Sequence, residues 1–144
     1  MQSENERKQK WLWRYQNSRR AEARIRKQIL DEMDRATATT KALSPVVVSG
    51  GSGNSKIEEA VAIMQERQQK LYAQLIETEV IRSEIEKAIG TIPAGLMQDV
   101  LHERYIVGTP HWWMIANNLH ISEKWARENH RKAICKIKSE HRRL

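Results

Sequence analysis

The side chains best suited to bind another molecule lie in a basic segment near the end of the chain. Residues 120–144 contain eight Lys and Arg residues and three Asp and Glu residues. Small and aliphatic residues recur there every three or four positions, which predicts a helix from Glu123 to about His141 with one buried face. The inward positions are Ala126, Ala133, Ile134 and Ile137. The basic side chains fall between them and are expected on the exposed face, where they can contact phosphates and base edges.

The residue types on this face predict different contacts with double-stranded DNA. Arg127 has the donor geometry that suits guanine O6 and N7, whereas Glu123 and Glu128 can accept from cytosine N4. Lys124 and Lys132 are expected on phosphates. The complete candidate set is Thr109, His111, Ser122, Glu123, Lys124, Trp125, Arg127, Glu128, Arg131 and Lys132. A second set either adds phosphate contacts or forms a solvated helix face: Arg19, Arg20, Arg24, Arg26 and Lys27.

Two short helices joined by a tight turn are expected to position this face. Thr109 and Pro110 predict an N-cap and a first helical position, so the first helix should run from there to about Asn118. Ser122 is predicted to cap the second helix. His120 stands where the turn often requires a positive φ, which Gly adopts more readily than His. This spacing is typical of a helix-turn-helix, whose second helix docks in the major groove of DNA.

One further helix is predicted before this pair, from Ala94 to Ile106, with Gly108 as the left-handed residue after its end. Asn129 occupies a position on the buried face of the last helix where an aliphatic residue is expected. The alternative interpretation is that residues 94–141 form only a basic helical bundle.

Two longer helices are predicted upstream. Residues 5–39 contain no Gly or Pro and indicate one amphipathic helix. Residues 40–54 include Pro45 and three glycines and indicate a flexible connector. Ser55-Lys56-Ile57-Glu58 has the pattern of a capping box, and Gly90 with Pro93 should end the helix that it begins.

The helix from Ser55 carries apolar residues at alternating spacings of four and three, which is an a/d heptad stripe. The stripe comprises Ile57, Val61, Met64, Gln68, Leu71, Leu75, Thr78, Arg82, Ile85, Ile89 and Ile92. Such a helix needs a partner, which is either the helix of residues 5–39 folded back antiparallel or the same helix of another subunit. The two arrangements can coexist in one oligomer.

The expected fold is therefore all-α, a long antiparallel helical hairpin or coiled coil followed by a small C-terminal helix-turn-helix domain. The predicted divisions are a basic N-terminal helix (1–42), a flexible loop (43–54), a long heptad-bearing helix for oligomerisation or hairpin formation (55–92) and a DNA-binding domain (93–144). On this division, residues 91–144 should remain helical and monomeric on their own.

Part of the C-terminal segment resembles a known family. Leu101-His102-Glu103-Arg104-Tyr105-Ile106-Val107-Gly108, then Trp112 before Ile115-Ala116, then Ile121-Ser122, resembles the C-terminal module of phage transcriptional regulators of the RinA/ArpU type. That module is similar to the promoter-reading helix-turn-helix of sigma factors, their fourth region. The resemblance implies binding to a phage promoter and activation of late genes for packaging or morphogenesis, with Arg127 at a base-reading position and host RNA polymerase as a further candidate partner.

Composition narrows the remaining classes of function. The net charge of +7 suits a partner rich in phosphate, and a single cysteine, Cys135, fits a reducing cytoplasm. The resemblance to phage regulators implies that this is the cytoplasm of a bacterial host, with the protein encoded by a phage or prophage. The sequence shows neither an apolar run long enough for a membrane-spanning helix nor an N-terminal secretory signal, so no membrane partner is expected. We expect no enzyme activity, no cofactor and no metal site, and a homo-oligomer, most simply a dimer. The alternatives are a small terminase subunit or DNA-packaging adaptor, and a structural coiled-coil interaction protein.

Overall fold

The structure is a computed structural model, and it describes residues 2–43 and 51–138. Within these ranges the chain is helical and contains no strand, so the predicted all-α class is confirmed. The helices are α1 (Glu4–Leu12), α2 (Arg14–Leu43), α3 (Gly51–Gly90), α4 (Leu96–Leu101), α5 (Trp112–Leu119) and α6 (Glu123–Lys136). A π-helical segment, His102–Val107, follows α4 directly.

The N-terminal helical region begins earlier than predicted and is divided in two. The Ser3 hydroxyl accepts from the Glu6 amide at 3.3 Å, and the Glu6 carboxylate accepts from the Ser3 amide at 3.1 Å. These two bonds form a capping box, and they satisfy amides that have no partner within the helix. Trp13 separates α1 from α2, which then continues to Leu43. The helix predicted over residues 5–39 is therefore interrupted at Trp13 and continues to Leu43, close to the end of the predicted 1–42 division.

The start of α3 also differs from the prediction, whereas its end agrees. The helix begins at Gly51, so Ser55 lies within it and the predicted capping box at Ser55 is wrong. Serine inside a helix costs only roughly 0.5 kcal/mol relative to alanine, so a helix can extend past such a signal. Gly90 ends the helix as predicted. Of the predicted connector, residues 40–43 and 51–54 are helical and residues 44–50 lie outside the described residues.

The chain forms two compact units, and they differ from the predicted domains. The first unit combines Met1–Ser18 with Thr78–Leu144, and the second is Arg19–Glu77. The first unit thus contains α1 and the end of α3 together with the C-terminal helices. Residues 91–144 contain only part of this unit, and the expectation that they fold independently stays a prediction.

The main core of the first unit joins both ends of the chain. Leu12 from the N-terminus and Ile85 from α3 are fully buried, and Tyr105 and Ile134 are 1% exposed. The complete cluster is Trp11, Leu12, Tyr15, Ile81, Ile85, Ala88, Ile89, Ile92, Leu101, Tyr105, Ile106, Ala133, Ile134 and Ile137. The last part of the heptad stripe therefore packs against the C-terminal helices as well as the N-terminal ones.

Polar contacts join α2 to α3 inside each unit. In the first unit the hydroxyl oxygens of Ser18 and Thr78 are 2.6 Å apart and both side chains are buried. In the second unit Arg67 contacts the Glu32 carboxylate at 2.9 Å. The stripe residues Met64, Leu71 and Leu75 are half-buried, whereas Ile57, Val61 and Gln68 are exposed.

The end of α6 is fixed by the N-terminal helix. The buried Lys8 ammonium donates to the carbonyl oxygens of Ile134 (3.2 Å) and Cys135 (3.4 Å). Ile137 leaves the helical path with ψ of 125°, and its side chain is 2% exposed. The predicted end near His141 is therefore wrong, because α6 ends at Lys136 and the residue after it, the buried Ile137, is extended. Residues 139–144, including His141, lie outside the described residues.

We predict that Lys8→Met lowers the free energy of unfolding by roughly 1.5–3 kcal/mol, because two carbonyls lose a charged donor. Lys10→Met is the matched control, since Lys10 is exposed on the same helix. Urea unfolding of both variants provides the measurement. Equal stability of the two variants would show that the Lys8 contacts contribute nothing.

Candidate nucleic-acid interface

Two short helices, α5 and α6, are joined by the turn His120–Ser122. His120 adopts the left-handed conformation (φ 56°, ψ 43°), as its position predicted. The Ser122 hydroxyl accepts from the Trp125 amide at 3.1 Å, so Ser122 caps α6 as predicted. Ile115, Ala116 and Ala126 form a small second core, with Trp112, Leu119 and Ile121 packed around it. This core fixes the two helices against each other.

The start of α5 differs from the prediction. The helix begins at Trp112 with His111 as its N-cap residue, and Thr109 and Pro110 precede it. The Thr109 hydroxyl donates instead to the Glu103 carboxylate at 2.8 Å, and Thr109 is 7% exposed. A phosphate cannot reach this hydroxyl without opening the fold, so Thr109 is not placed to contact DNA as the other candidates are.

The remaining candidates lie at or near one surface of α6 and the N-terminus of α5. Glu128 is half-buried, and the others are exposed: His111, Ser122, Glu123, Lys124, Trp125, Arg127, Arg131 and Lys132. Asn129 is buried, and its amide donates to the Trp125 carbonyl at 2.9 Å. This bond explains how a polar residue is accommodated on the buried face.

Arg127 is held in place by two neighbours. Its Nη2 atom donates to the Glu123 carboxylate at 2.9 Å, and its guanidinium lies 5.8 Å from the centroid of the Trp112 ring. An arginine oriented in this way loses less rotamer freedom when it binds a base edge. Glu123 is therefore placed to orient Arg127, a role different from the cytosine contact predicted for it.

Trp112 connects this surface to the interior. The Arg104 guanidinium lies 4.5 Å from its ring centroid, within the range of a cation–π interaction, and also 5.2 Å from the Trp13 ring. Arg104 further donates to the Pro110 carbonyl at 3.3 Å. The ring of Trp112 meets the His130 ring edge-to-face at a centroid distance of 4.9 Å. The position of Trp112 is thus fixed on several sides.

His130 and Tyr105 form a buried hydrogen-bonded pair behind Trp112. The Tyr105 hydroxyl and His130 Nε2 are 2.7 Å apart, and His130 is 8% exposed. Burial, with a smaller contribution from the nearby Arg104 charge, lowers the pKa of His130 from 6.5 to about 4. Burial also raises the pKa of Tyr105. His130 is therefore neutral at pH 7, so Tyr105 can donate to it.

The π-helical segment that carries Arg104 and Tyr105 is fixed from α2. The Gln16 amide donates to the carbonyls of Tyr105 (3.1 Å) and Ile106 (3.0 Å). Gly108 ends the segment with φ 83°, as its left-handed role predicted, and a Cβ there would lie 2.7 Å from Gln16 Oε1. The predicted helix over residues 94–106 is thus a short α-helix followed by this segment.

Two tryptophans, one on α5 and one on α6, are exposed. Trp113 is 61% exposed and stacks on His111 with ring centroids 6.2 Å apart. Trp125 is 43% exposed, and the Lys132 ammonium lies 5.4 Å from its ring centroid. Trp113 lies outside the candidate set, but it stacks on His111, which belongs to that set.

The N-terminal set of basic residues belongs to the second compact unit. Arg19, Arg20, Arg24, Arg26 and Lys27 are all exposed. Arg26 is paired with Glu22 at 3.0 Å. The exposure of these five side chains agrees with both predictions for them, phosphate contacts and a solvated helix face.

In the part of the chain that the structure describes, no three His, Cys, Asp or Glu residues are grouped as metal ligands. No described helix combines the length and apolar character required to cross a membrane. A comparison with protein-family models, curated proteins and solved structures finds no match to this chain.

Proposed function

We propose that the protein is a sequence-specific double-stranded-DNA-binding transcriptional regulator, an activator of phage late genes. The single observation that carries this proposal is the exposed basic surface of α6, with Arg127 oriented by Glu123 and Trp112. Short helices joined by a tight turn, with such a surface on the second helix, are suited to the major groove. The resemblance of residues 101–122 to phage regulators supports the transcriptional role.

The residue types at this surface support both parts of DNA recognition. Arg127 can donate two hydrogen bonds to guanine, and Lys124, Arg131 and Lys132 can contact phosphates. Trp125 offers an apolar ring that can contact a thymine methyl group. The half-buried Glu128 remains a candidate acceptor for cytosine.

The proposal also includes an antiparallel hairpin of α2 and α3, a helix-turn-helix of α5 and α6, and a homo-oligomer. The contacts Ser18–Thr78 and Glu32–Arg67 support an antiparallel pairing of α2 with α3, because residues later in α2 contact residues earlier in α3. The α5–α6 pair supports the helix-turn-helix. A homo-oligomer would join two such modules and increase their combined affinity for adjacent half-sites.

We predict that Arg127→Ala weakens binding to the preferred DNA site by roughly 1–3 kcal/mol and relaxes preference at one base pair. Lys132→Ala should weaken binding to all sequences about equally, because a phosphate contact carries no sequence information. The preferred site is obtained by selection from random DNA with the intact protein. Affinities are then measured on this site and on a scrambled duplex at matched salt.

Lys10→Ala serves as the control for loss of positive charge, since Lys10 is exposed on α1 and lies outside the candidate surface. Circular dichroism verifies the fold of each variant. An equal loss for Arg127→Ala on both duplexes would make Arg127 a phosphate contact. If neither α6 variant loses affinity while folded, α6 does not enter the groove and the proposed function is wrong.

A further inference from the structure

One face of α3 within the second compact unit is exposed and uncharged. Gln65, Gln69, Tyr72, Ala73 and Ile76 are all exposed, and at about 100° per residue they lie within an arc of roughly 100°. Tyr72 is 65% exposed and Ile76 is 68% exposed. We call these five residues the α3 face. Large apolar side chains grouped on an exposed helix are typical of a protein-binding surface.

The α3 face points away from α2. The Arg67 guanidinium contacts Glu32 of α2 at 2.9 Å. At about 100° per residue, Arg67 lies on the side of α3 opposite to the α3 face. The intramolecular pairing therefore leaves Tyr72 and Ile76 without a partner in the second unit. Their side chains are therefore accessible to a different molecule.

The charges that border the face are complementary to those of a second copy. Lys70 and Glu77 lie on the same edge, seven residues and two helical turns apart. When two copies of α3 cross antiparallel near Ala73, each Lys70 lies opposite Glu77 of the partner subunit. In the same register each Tyr72 packs against Ile76 of the partner subunit. One register therefore satisfies both the apolar and the charged residues, as a two-fold interface requires.

We propose that the α3 face binds the same face of a second copy of this chain, with the two helices antiparallel. Tyr72 and Ile76 are the apolar anchors, and the small side chain of Ala73 allows close approach at the two-fold axis. In the single chain the Lys70 ammonium pairs with the Glu66 carboxylate at 3.7 Å. Both side chains are about two-thirds exposed, so this ion pair is weak and Lys70 can exchange it for a contact with a second copy. Exposed ion pairs contribute little affinity, so the Lys70–Glu77 contacts mainly select the register.

Analytical ultracentrifugation of the intact protein without DNA tests this proposal independently of DNA binding. The protein should form a dimer whose fraction rises with concentration. The double variant Tyr72→Glu/Ile76→Glu should raise the dimer Kd by at least roughly 100-fold, because each anchor occurs twice in a two-fold interface. Val107→Glu is the matched control, since Val107 is a 50% exposed apolar residue of the other unit and should leave the Kd unchanged.

A charge-reversal experiment tests the register without removing apolar area. Lys70→Glu and Glu77→Lys should each raise the Kd of self-association roughly 10-fold, since each brings like charges together. An equal mixture of these two variants should recover association, because each mixed pair has opposite charges at both contacts. A wild-type protein that stays monomeric, or a dimer unaffected by Tyr72→Glu/Ile76→Glu, would overturn the proposal. A mixture that associates no better than its components would overturn the antiparallel register.

Discussion

A fragment of residues 91–144 is expected to lack a cooperative unfolding transition, although it carries the whole candidate DNA-binding surface. It retains Tyr105 and Ile134 but loses Leu12 and Ile85, which are fully buried against them in one core. Each large buried side chain removed costs roughly 2–5 kcal/mol, whereas a whole domain is stable by only about 5–15 kcal/mol. Urea titration followed by far-UV circular dichroism measures the transition.

The control for this experiment is a chain that keeps the complete first unit. Residues 2–18 can be joined to residues 78–138 by a short Gly/Ser linker, because the Ser18 and Thr78 hydroxyl oxygens are only 2.6 Å apart. This shortened chain should unfold cooperatively. A cooperative transition of the 91–144 fragment at the same midpoint would mean that the N-terminal helix contributes little to the fold.

Acidification from about pH 6.5 to about pH 4 should reduce the free energy of unfolding by roughly 3 kcal/mol through His130 alone. Burial lowers the pKa of His130 from 6.5 to about 4 in the folded chain. The unfolded chain therefore binds a proton before the folded chain does, and stability falls as the pH falls through this interval. Each pKa unit corresponds to about 1.4 kcal/mol. The contribution is fully present above pH 6.5.

His130→Gln isolates this effect from the titration of the carboxylates. Glutamine offers Tyr105 an acceptor oxygen but does not titrate, so the variant should lose less stability between pH 6.5 and pH 4 than the wild type. The measurement is a series of urea unfolding curves at stepped pH for both proteins. Parallel losses would show that His130 is protonated in the folded chain over this interval, contrary to its buried hydrogen bond.

Local backbone rules explain which features were predictable. Gly108 and His120 adopt positive φ, and Ser122 caps α6, because each of these roles depends on a residue and its immediate neighbours. The inward face of α6 was also predictable, since Ala126 and Ala133 follow the helical period. Ser55 shows the limit of such rules, because its capping pattern lies inside a longer helix.

Features that join distant residues could not be found in the same way. Lys8 caps the end of α6 from 126 positions away, and no local pattern relates the two segments. The isolation of His130 from solvent depends on Tyr105 and Trp112, which precede it by many residues. The role of Glu123 was visible in principle, because Glu123 and Arg127 have the spacing of a helical ion pair.

The contact between Lys8 and the end of α6 also bears on when, during synthesis, the core of the first unit can be completed. At roughly 5–20 residues per second, a ribosome adds Ile134 about 6–25 s after Lys8. Throughout that interval Trp11 and Leu12 have no complete core in which to be buried. Helix α1 therefore cannot complete its packing until α6 has been synthesised. A nascent chain to which Ile134 has not yet been added is thus expected to leave Lys8, Trp11 and Leu12 without their partners in α6.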